Sequence, residues 1–319
     1  MKRILVTGGA GYIGGTVSKL LLEAGFDVTI LDDCSTGHAD SVDPRATFIE
    51  GSILERNAVL SALNGVDTVM HFAAKSIVPE SMREPNLYHH VNVDGTKLLL
   101  DCMKEISVRK IVYSSTAAVY GDPTSTPIRE DARTIPTNPY GETKLKVDQM
   151  LTARCSSDGL AAISLRYFNV AGALKTSSGW HAERHDPETH LIPNILKATP
   201  TRPLKLFGTT WPTPDGTCIR DYIHVVDLSE AHIQAMSHLV TDSHQIINLG
   251  SGTGNSVREV IDTASRVLGR DVDVVEEGPR EGDPAILVAS IEKAENVLGW
   301  LPSRNLERII EDSFASLQS

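Results

Sequence analysis

The stretch "RILVTGGAGYIGG" constrains this chain more than any other. A short apolar run, Arg3 to Thr7, empties into "TGGAGYIG" (7 to 14) and at once into a helical pattern from about Tyr12 to Ala24. Gly9, Gly11 and Gly14 satisfy G-x-G-x-x-G, and Gly8, Gly11 and Gly14 satisfy a three-spaced version. Glycines allow a tight turn and close backbone approach, and the following helix start offers unpaired N–H donors to a pyrophosphate. An aspartate, Asp32, ends the second strand-like run about twenty residues on, as a dinucleotide-binding βαβ unit requires. Its carboxylate accepts hydrogen bonds from ribose hydroxyls and repels a 2′-phosphate, and the next residue is Asp33 rather than an arginine. NAD is therefore favoured over NADP.

The β-then-α rhythm continues through "DVTIL", "ATFIE", a helix around Ala58, "DTVMHFA", a long helical segment from about Asn86 to Ile106, "KIVYSS", a helix starting near Tyr140, and "AAISLRYFN". Such alternation predicts an α/β fold with a doubly wound parallel Rossmann-type sheet. Past Asn169 the rhythm breaks into loops rich in Gly, Pro, Ser and His with shorter elements between them. We expect a dinucleotide-binding domain over 1–170, with 225–250 returning to it, and a smaller mixed α/β substrate lobe over most of 171–319. The cleft between them is the default site.

A net charge of −11 argues against general affinity for nucleic acid or an anionic membrane surface. No window approaches a membrane span, and the four cysteines, Cys34, Cys102, Cys155 and Cys218, form no C-x-x-C. Reduced thiols in a cytoplasmic protein with a small-molecule ligand are expected.

In "NPYGETK" (138 to 144) Tyr140 and Lys144 are four apart on one helix face. An ammonium beside a phenol favours the phenolate, and NAD⁺ would add a second cation. Bringing a phenol from about 10 to about 7 takes roughly 4 kcal/mol, within reach of two nearby charges in a partly desolvated site.

Together "TGGAGYIG", "YSSTAAVYG", "NPYGETK", "RYFNVAGA" and "DGTCIRDYIHVVDL" resemble the extended short-chain dehydrogenase/reductase family, in order along nearly the whole chain. "RDYIHV" with "REGDPA" resembles its nucleotide-sugar 4-epimerase branch. That resemblance implies Tyr140 as acid/base, Lys144 lowering its pKa and binding the nicotinamide ribose, and Thr116 hydrogen-bonding the sugar O4. It also implies NAD contacts from Gly8, Gly11, Tyr12, Ile13, Gly14, Asp32, Ser52, Ile53, Phe72, Ala73, Ala74, Asn92, Ser114 and Tyr167. A UDP-sugar would meet Phe168, Asn169, His190, Leu191, Phe207, Arg220, Arg280, Asp283 and Leu287, with Asn169, Arg220 and Arg280 on the diphosphate, Phe207 on the uracil and Asp283 on a ribose hydroxyl.

The implied reaction is reversible 4-epimerisation of UDP-galactose and UDP-glucose through a 4-ketosugar with NAD regenerated. Ala117 and Ala118 stand where 4,6-dehydratases resemble an acid and a base, which disfavours elimination. Leu287, intermediate in size, leaves UDP-N-acetylhexosamine, UDP-pentose and UDP-uronate epimerases as alternatives, and a non-catalytic NAD/nucleotide-sugar sensor as one from another class.

The chain departs from the family pattern at Ser52, where relatives carry aspartate, and at Ser76, where epimerases carry a lysine that here falls one position early, at Lys75. It departs again at His190, where the better-known branch has asparagine. His181, His185, His190, Asp186 and Glu188 have no recognisable ligand motif, so a polar loop and no metal is expected. A homodimer built on the segments 86 to 106 and 140 to 155 is implied by resemblance, though Leu98, Leu99, Met103, Val147 and Leu151 could equally cover the protein's own sheet.

Overall fold

The computed structural model describes residues 2–280 and 283–318. Seven parallel strands form its central sheet: β1 Arg3–Thr7, β2 Asp27–Asp32, β3 Thr47–Glu50, β4 Thr68–His71, β5 Lys110–Thr116, β6 Ala161–Tyr167, and a seventh, Ser243–Leu249. The order across the sheet is seventh strand, β6, β5, β4, β1, β2, β3. Chain progression therefore reverses between β1 and β4, leaving a crevice outside their carboxyl ends. The expected doubly wound Rossmann-type fold is present.

Both faces of the sheet are covered, so its strands read as continuous apolar runs. Alternation sends Ile4 and Val6 to one core, with Val17 and Leu21 of helix Tyr12–Glu23 and Leu228 and Ala231 of helix Val225–Ala235. Leu5 points to the other core, with Val59, Leu99, Met103, Val147 and Leu151. Those last four residues are fully or almost fully buried against their own sheet, and Leu98 packs beside them.

The helix Pro139–Asp158 is cut out of the sequence by its ends. Asn138 caps it, its side-chain oxygen accepting from Gly141 N at 2.9 Å, Pro139 supplies a preset first turn, and Gly159 closes it at φ 70°. Gly141 lets the first turn approach β5's continuation, since a Cβ there would lie 2.7 Å from Ala118 O. Asn138→Ala should cost about 1 kcal/mol. Urea unfolding checks this, and an unchanged midpoint would show that Pro139 sets the helix start unaided.

The long helical segment expected from about Asn86 to Ile106 runs unbroken from Pro85 to Glu105, with a π-helical turn, His89–Asp94, between its α-helical parts Pro85–Tyr88 and Gly95–Glu105. Beyond β6 a third core gathers around Ile192, Ile195, Leu206, Val260 and Ile309. It sits beneath a small sheet in which Ile219–His224 pairs with Asn169–Ala171, Gly254–Ser256 and Ile286–Leu287.

Candidate active site

Four parallel strands end side by side, and each delivers part of one cleft: Gly8 after β1, Phe72 and Ala73 after β4, Ser114 and Thr116 at the end of β5, and Tyr167 at the end of β6. The cleft encloses about 430 Å³, and its far wall brings Asn169, Glu183, His185, His190 and Leu287 from the second half of the chain.

At the β1 turn, Gly8 adopts φ 74°, and a Cβ there would fall 2.6 Å from Ala73 N. A Cβ on Gly14 would fall 2.2 Å from Gly8 O. Both positions hold a cradle that any side chain would fill. Gly11 caps helix Tyr12–Glu23 without a side-chain hydrogen bond, so the first-turn N–H groups face the crevice uncapped. Asp32 is 8% exposed; its Oδ2 accepts from Ala10 N at 2.9 Å and its Oδ1 from Cys34 N at 2.8 Å. Burial raises its pKa and those two backbone donors oppose the rise. A carboxylate fixed this way keeps spare lone pairs for two ribose hydroxyls. The residues fit NAD.

Tyr140 and Lys144 rise from the first turns of helix Pro139–Asp158. Lys144 is 2% exposed; its Nζ donates to Ser114 O at 2.8 Å and lies 4.9 Å from the Tyr113 ring centre and 5.9 Å from that of Tyr140. Burial pushes the ammonium down to about 7, against the pull of Asp148 one turn on. Burial likewise pushes the Tyr140 phenol up to about 12, while a hydrogen bond with the Thr116 side chain works the other way. Without a bound cation, desolvation disfavours the charged form of both groups, so the lowered phenol expected from Lys144 alone is not what this geometry produces.

An unfolded lysine titrates near 10.4, so the unfolded chain binds more protons than the fold between about pH 7 and pH 10. The cost of burying Lys144 charged is fully present below that window and is relieved as pH rises through it. Lys144→Met should flatten this rise, measured by urea unfolding at about pH 6 and about pH 9. An unchanged pH slope in the variant would mean that Lys144 stays protonated in the fold.

Most of the residues singled out from sequence line this one cleft: Gly8, Gly11, Tyr12, Ile13, Gly14, Asp32, Ile53, Phe72, Ala73, Ala74, Ser114, Thr116, Tyr140, Lys144, Tyr167, Phe168, Asn169, His190 and Leu287. Tyr12 donates its hydroxyl to Gly172 O at 2.6 Å, and Tyr167 is hydrogen-bonded to Ser114.

Asn92 and Ser52 are not in the lining. The Asn92 amide is consumed in holding the β4 loop, accepting from Lys75 N at 2.8 Å and donating to Lys75 O and Thr143 Oγ1 at 3.0 Å each. Ser52 Oγ accepts from Leu54 N at 3.3 Å. Lys75 itself does border the cleft.

Leu191 opens helix Leu191–Leu196 and packs into the third core. Phe207, Arg220, Arg280 and Asp283 form a separate group: the Arg280 guanidinium stacks 3.8 Å from the Phe207 ring centre, and Arg220 Nη2 lies 3.9 Å from Asp283. The stacked guanidinium covers one face of the ring expected to meet a base. Arg220 also donates to its own neighbour's carbonyl, Ile219 O, at 2.9 Å. Asp221, the next residue, does not pair with it and accepts from Ser251 and from Ala289 N. Glu281, the residue after Arg280, lies outside the described residues.

Sequence reasoning passed over Ser35, Thr36 and Gly37 after β2, and Glu183, all of which line the cleft beside His185 of the expected polar loop. The Thr36–Gly37 pair follows the Asp32 that was noticed, and its position beyond a β-strand end was the available signal. Among the histidines considered as a cluster, His181 stands apart, its Nε2 donating to Tyr12 O at 2.9 Å.

With the geometry in view, comparison with known proteins is direct. Residues 4–250 match the profile of the NAD dependent epimerase/dehydratase family. A UDP-glucose 4-epimerase from Corynebacterium glutamicum is 46% identical over 98% of this chain and 95% of its own length. A crystal structure of UDP-glucose 4-epimerase from Brucella ovis in complex with NAD superposes with a TM-score of 0.93 at 39% identity, covering 98% of each chain. One from Bifidobacterium longum in complex with NAD⁺ and UDP gives 0.91 at 32% identity, over 99% of this chain and 98% of that one. A glycine cradle, a fixed acidic residue after β2 and a buried Tyr–Lys pair on one helix thus accompany near-complete coverage, and this chain belongs to the NAD dependent epimerase/dehydratase family.

Proposed function

We propose that the protein interconverts UDP-galactose and UDP-glucose by epimerisation at C4. The observation that carries this is the meeting of Tyr140, Lys144 and Thr116 with the glycine cradle and Asp32 in one cleft. Residues 1–170 with 225–250 would hold the cofactor, and most of 171–319 the nucleotide sugar. When bound, NAD⁺ supplies a hydride acceptor for C4 and a positive charge beside the phenol.

Thr116 orients the 4-hydroxyl, and the Tyr140 oxygen takes its proton as the C4 hydrogen leaves as hydride. Lys144, which titrates near 7 in its buried site, and the positive charge of bound NAD⁺ would together favour the phenolate that accepts this proton. Tyr140 then returns the proton when the 4-ketosugar has been reduced on its opposite face, so one residue serves as base and acid. Ser114 and Tyr167 close the wall behind the pair. Phe207, Arg220, Arg280 and Asp283 would hold the UDP end, with Arg280 leaving the Phe207 face for the diphosphate so that the ring can meet the base.

A second reading, with N-acetylated sugars accepted as well, is favoured by Leu287, whose intermediate side chain lines the cleft. Met82 and Leu87, exposed beside helix Pro139–Asp158, support a homodimer through that face, to be checked by sedimentation. Among the described residues no helix is long and apolar enough to cross a membrane, and we place the enzyme in the cytoplasm.

The test is incubation of purified protein with UDP-galactose and no added cofactor, followed by separation of the UDP-sugars and identification of the released nucleotide. UDP-glucose together with NAD is the expected result. No UDP-glucose even with added NAD would overturn the reading.

A further inference from the structure

We propose that Glu183, His185, Glu188 and His190 form a divalent-metal site that pins the loop 179–190 over the mouth of the dinucleotide crevice. One ligand atom from each of the four lies within 4.8 Å of all the others. Glu183 Oε1 is 2.6 Å from His185 Nδ1 and 2.8 Å from His190 Nδ1, and Glu188 Oε1 is 2.9 Å from that same His190 nitrogen. Donors around a tetrahedral ion at about 2.0–2.1 Å sit about 3.3 Å apart, so this spread brackets what such an ion needs.

The hydrogen bonds within the cluster do not satisfy it. His190 Nδ1 carries at most one proton yet faces two carboxylates. Glu183 Oε2 and Glu188 Oε2 are buried without a hydrogen-bond partner, on side chains only 7% and 3% exposed. Two unpartnered buried carboxylate oxygens beside two imidazoles are costly unless a cation joins them. A dication balances the two carboxylates with both rings neutral. Two nitrogen and two oxygen donors suit a first-row transition ion such as zinc, and disfavour calcium and magnesium, which take oxygen sets.

The ligands interleave with residues that already clasp the crevice. Arg184 pairs with Asp40 at 2.8 Å, its carbonyl lies 3.3 Å from His38 Nε2, and His181 reaches Tyr12 O. Glu183, His185 and His190 border the cleft itself, so the ion would lie beside the glycine turn and hold the loop that closes over it.

The test titrates dialysed, tag-free full-length protein with Co²⁺ and follows its visible d–d bands, a readout independent of turnover and of the sugar acted on. The expected result is a low-coordinate cobalt spectrum saturating at one ion per chain and displaced by Zn²⁺. Binding should weaken by about 10-fold or more in His185→Ala and Glu188→Gln. Tryptic cleavage after Arg184 should slow with Zn²⁺ in the parent protein and not in the variants. A spectrum no different from aqueous cobalt, or bands that persist in both variants, would overturn the proposal.

Discussion

Tyr140→Phe is expected to lower turnover about 10³-fold while NAD stays bound. The substitution removes one oxygen and leaves the ring, so the packing of helix Pro139–Asp158 is undisturbed. Tyr140 brings to the cleft a titratable oxygen that is hydrogen-bonded to Thr116 and has the Lys144 ammonium 5.9 Å from its ring centre. A coupled assay of UDP-glucose formation checks the rate, and cofactor released on denaturation checks binding. A loss below about 10-fold would move the acid/base role to another group. A sensor would keep ligand binding in this variant and have no turnover to lose, so the parent protein's activity separates the two readings.

The second large effect lies behind the active site. The Arg166 and Asp148 side chains are 4% and 2% exposed, and Asp148 Oδ2 accepts from Arg166 Nε at 3.0 Å and Nη2 at 2.9 Å. Arg166 Nη1 donates to Tyr120 OH at 3.1 Å, and that hydroxyl donates to Asn248 Oδ1 at 2.7 Å, tying β6 to the seventh strand. Asp148 Oδ1 already lacks a partner, so removing the guanidinium leaves a buried carboxylate with the Ser115 hydroxyl, 3.2 Å from Oδ2, as its remaining donor.

Arg166→Met should destabilise the fold by about 3–5 kcal/mol. Adding Asp148→Leu should recover much of the loss, because a well-packed apolar pair replaces a buried ion pair at little net cost. Urea unfolding of the single and double variants distinguishes a stranded charge from lost packing. A single-variant loss below about 1 kcal/mol would mean that water or another donor reaches Asp148.

The parallel sheet and its crevice were legible because Gly8, Gly14 and Asp32 carry backbone requirements that sequence states directly. Tyr140 and Lys144 were legible for the same kind of reason: a capped helix start fixes which residues share a face. The hydrogen bonds that Asn92 and Ser52 make were not, because resemblance carries residue identity but not which way a polar side chain turns. Asn92 sits on a π-helical turn that aims its amide at the Lys75 backbone. The stacking of Arg280 on Phe207 joins residues 73 positions apart through tertiary packing, which no local pattern encodes. Glu183 and His185 lie in a loop without periodicity, so only the folded chain shows that they meet His190. The electrostatics were the least legible: the desolvation that sends Lys144 and Tyr140 in opposite directions depends on burial that spacing does not reveal.

The seventh strand has a consequence for how the protein is made. It pairs with β6 along Ser243–Leu249, yet residues 168–242 separate the two in the chain. During synthesis β6, every residue of which is buried in the finished fold, emerges long before its outer neighbour. Until then it is an open apolar edge, the kind of surface on which nascent chains associate. The central sheet cannot be completed before residues 168–242 have been translated, so a chain stalled in that interval is one for chaperones to hold.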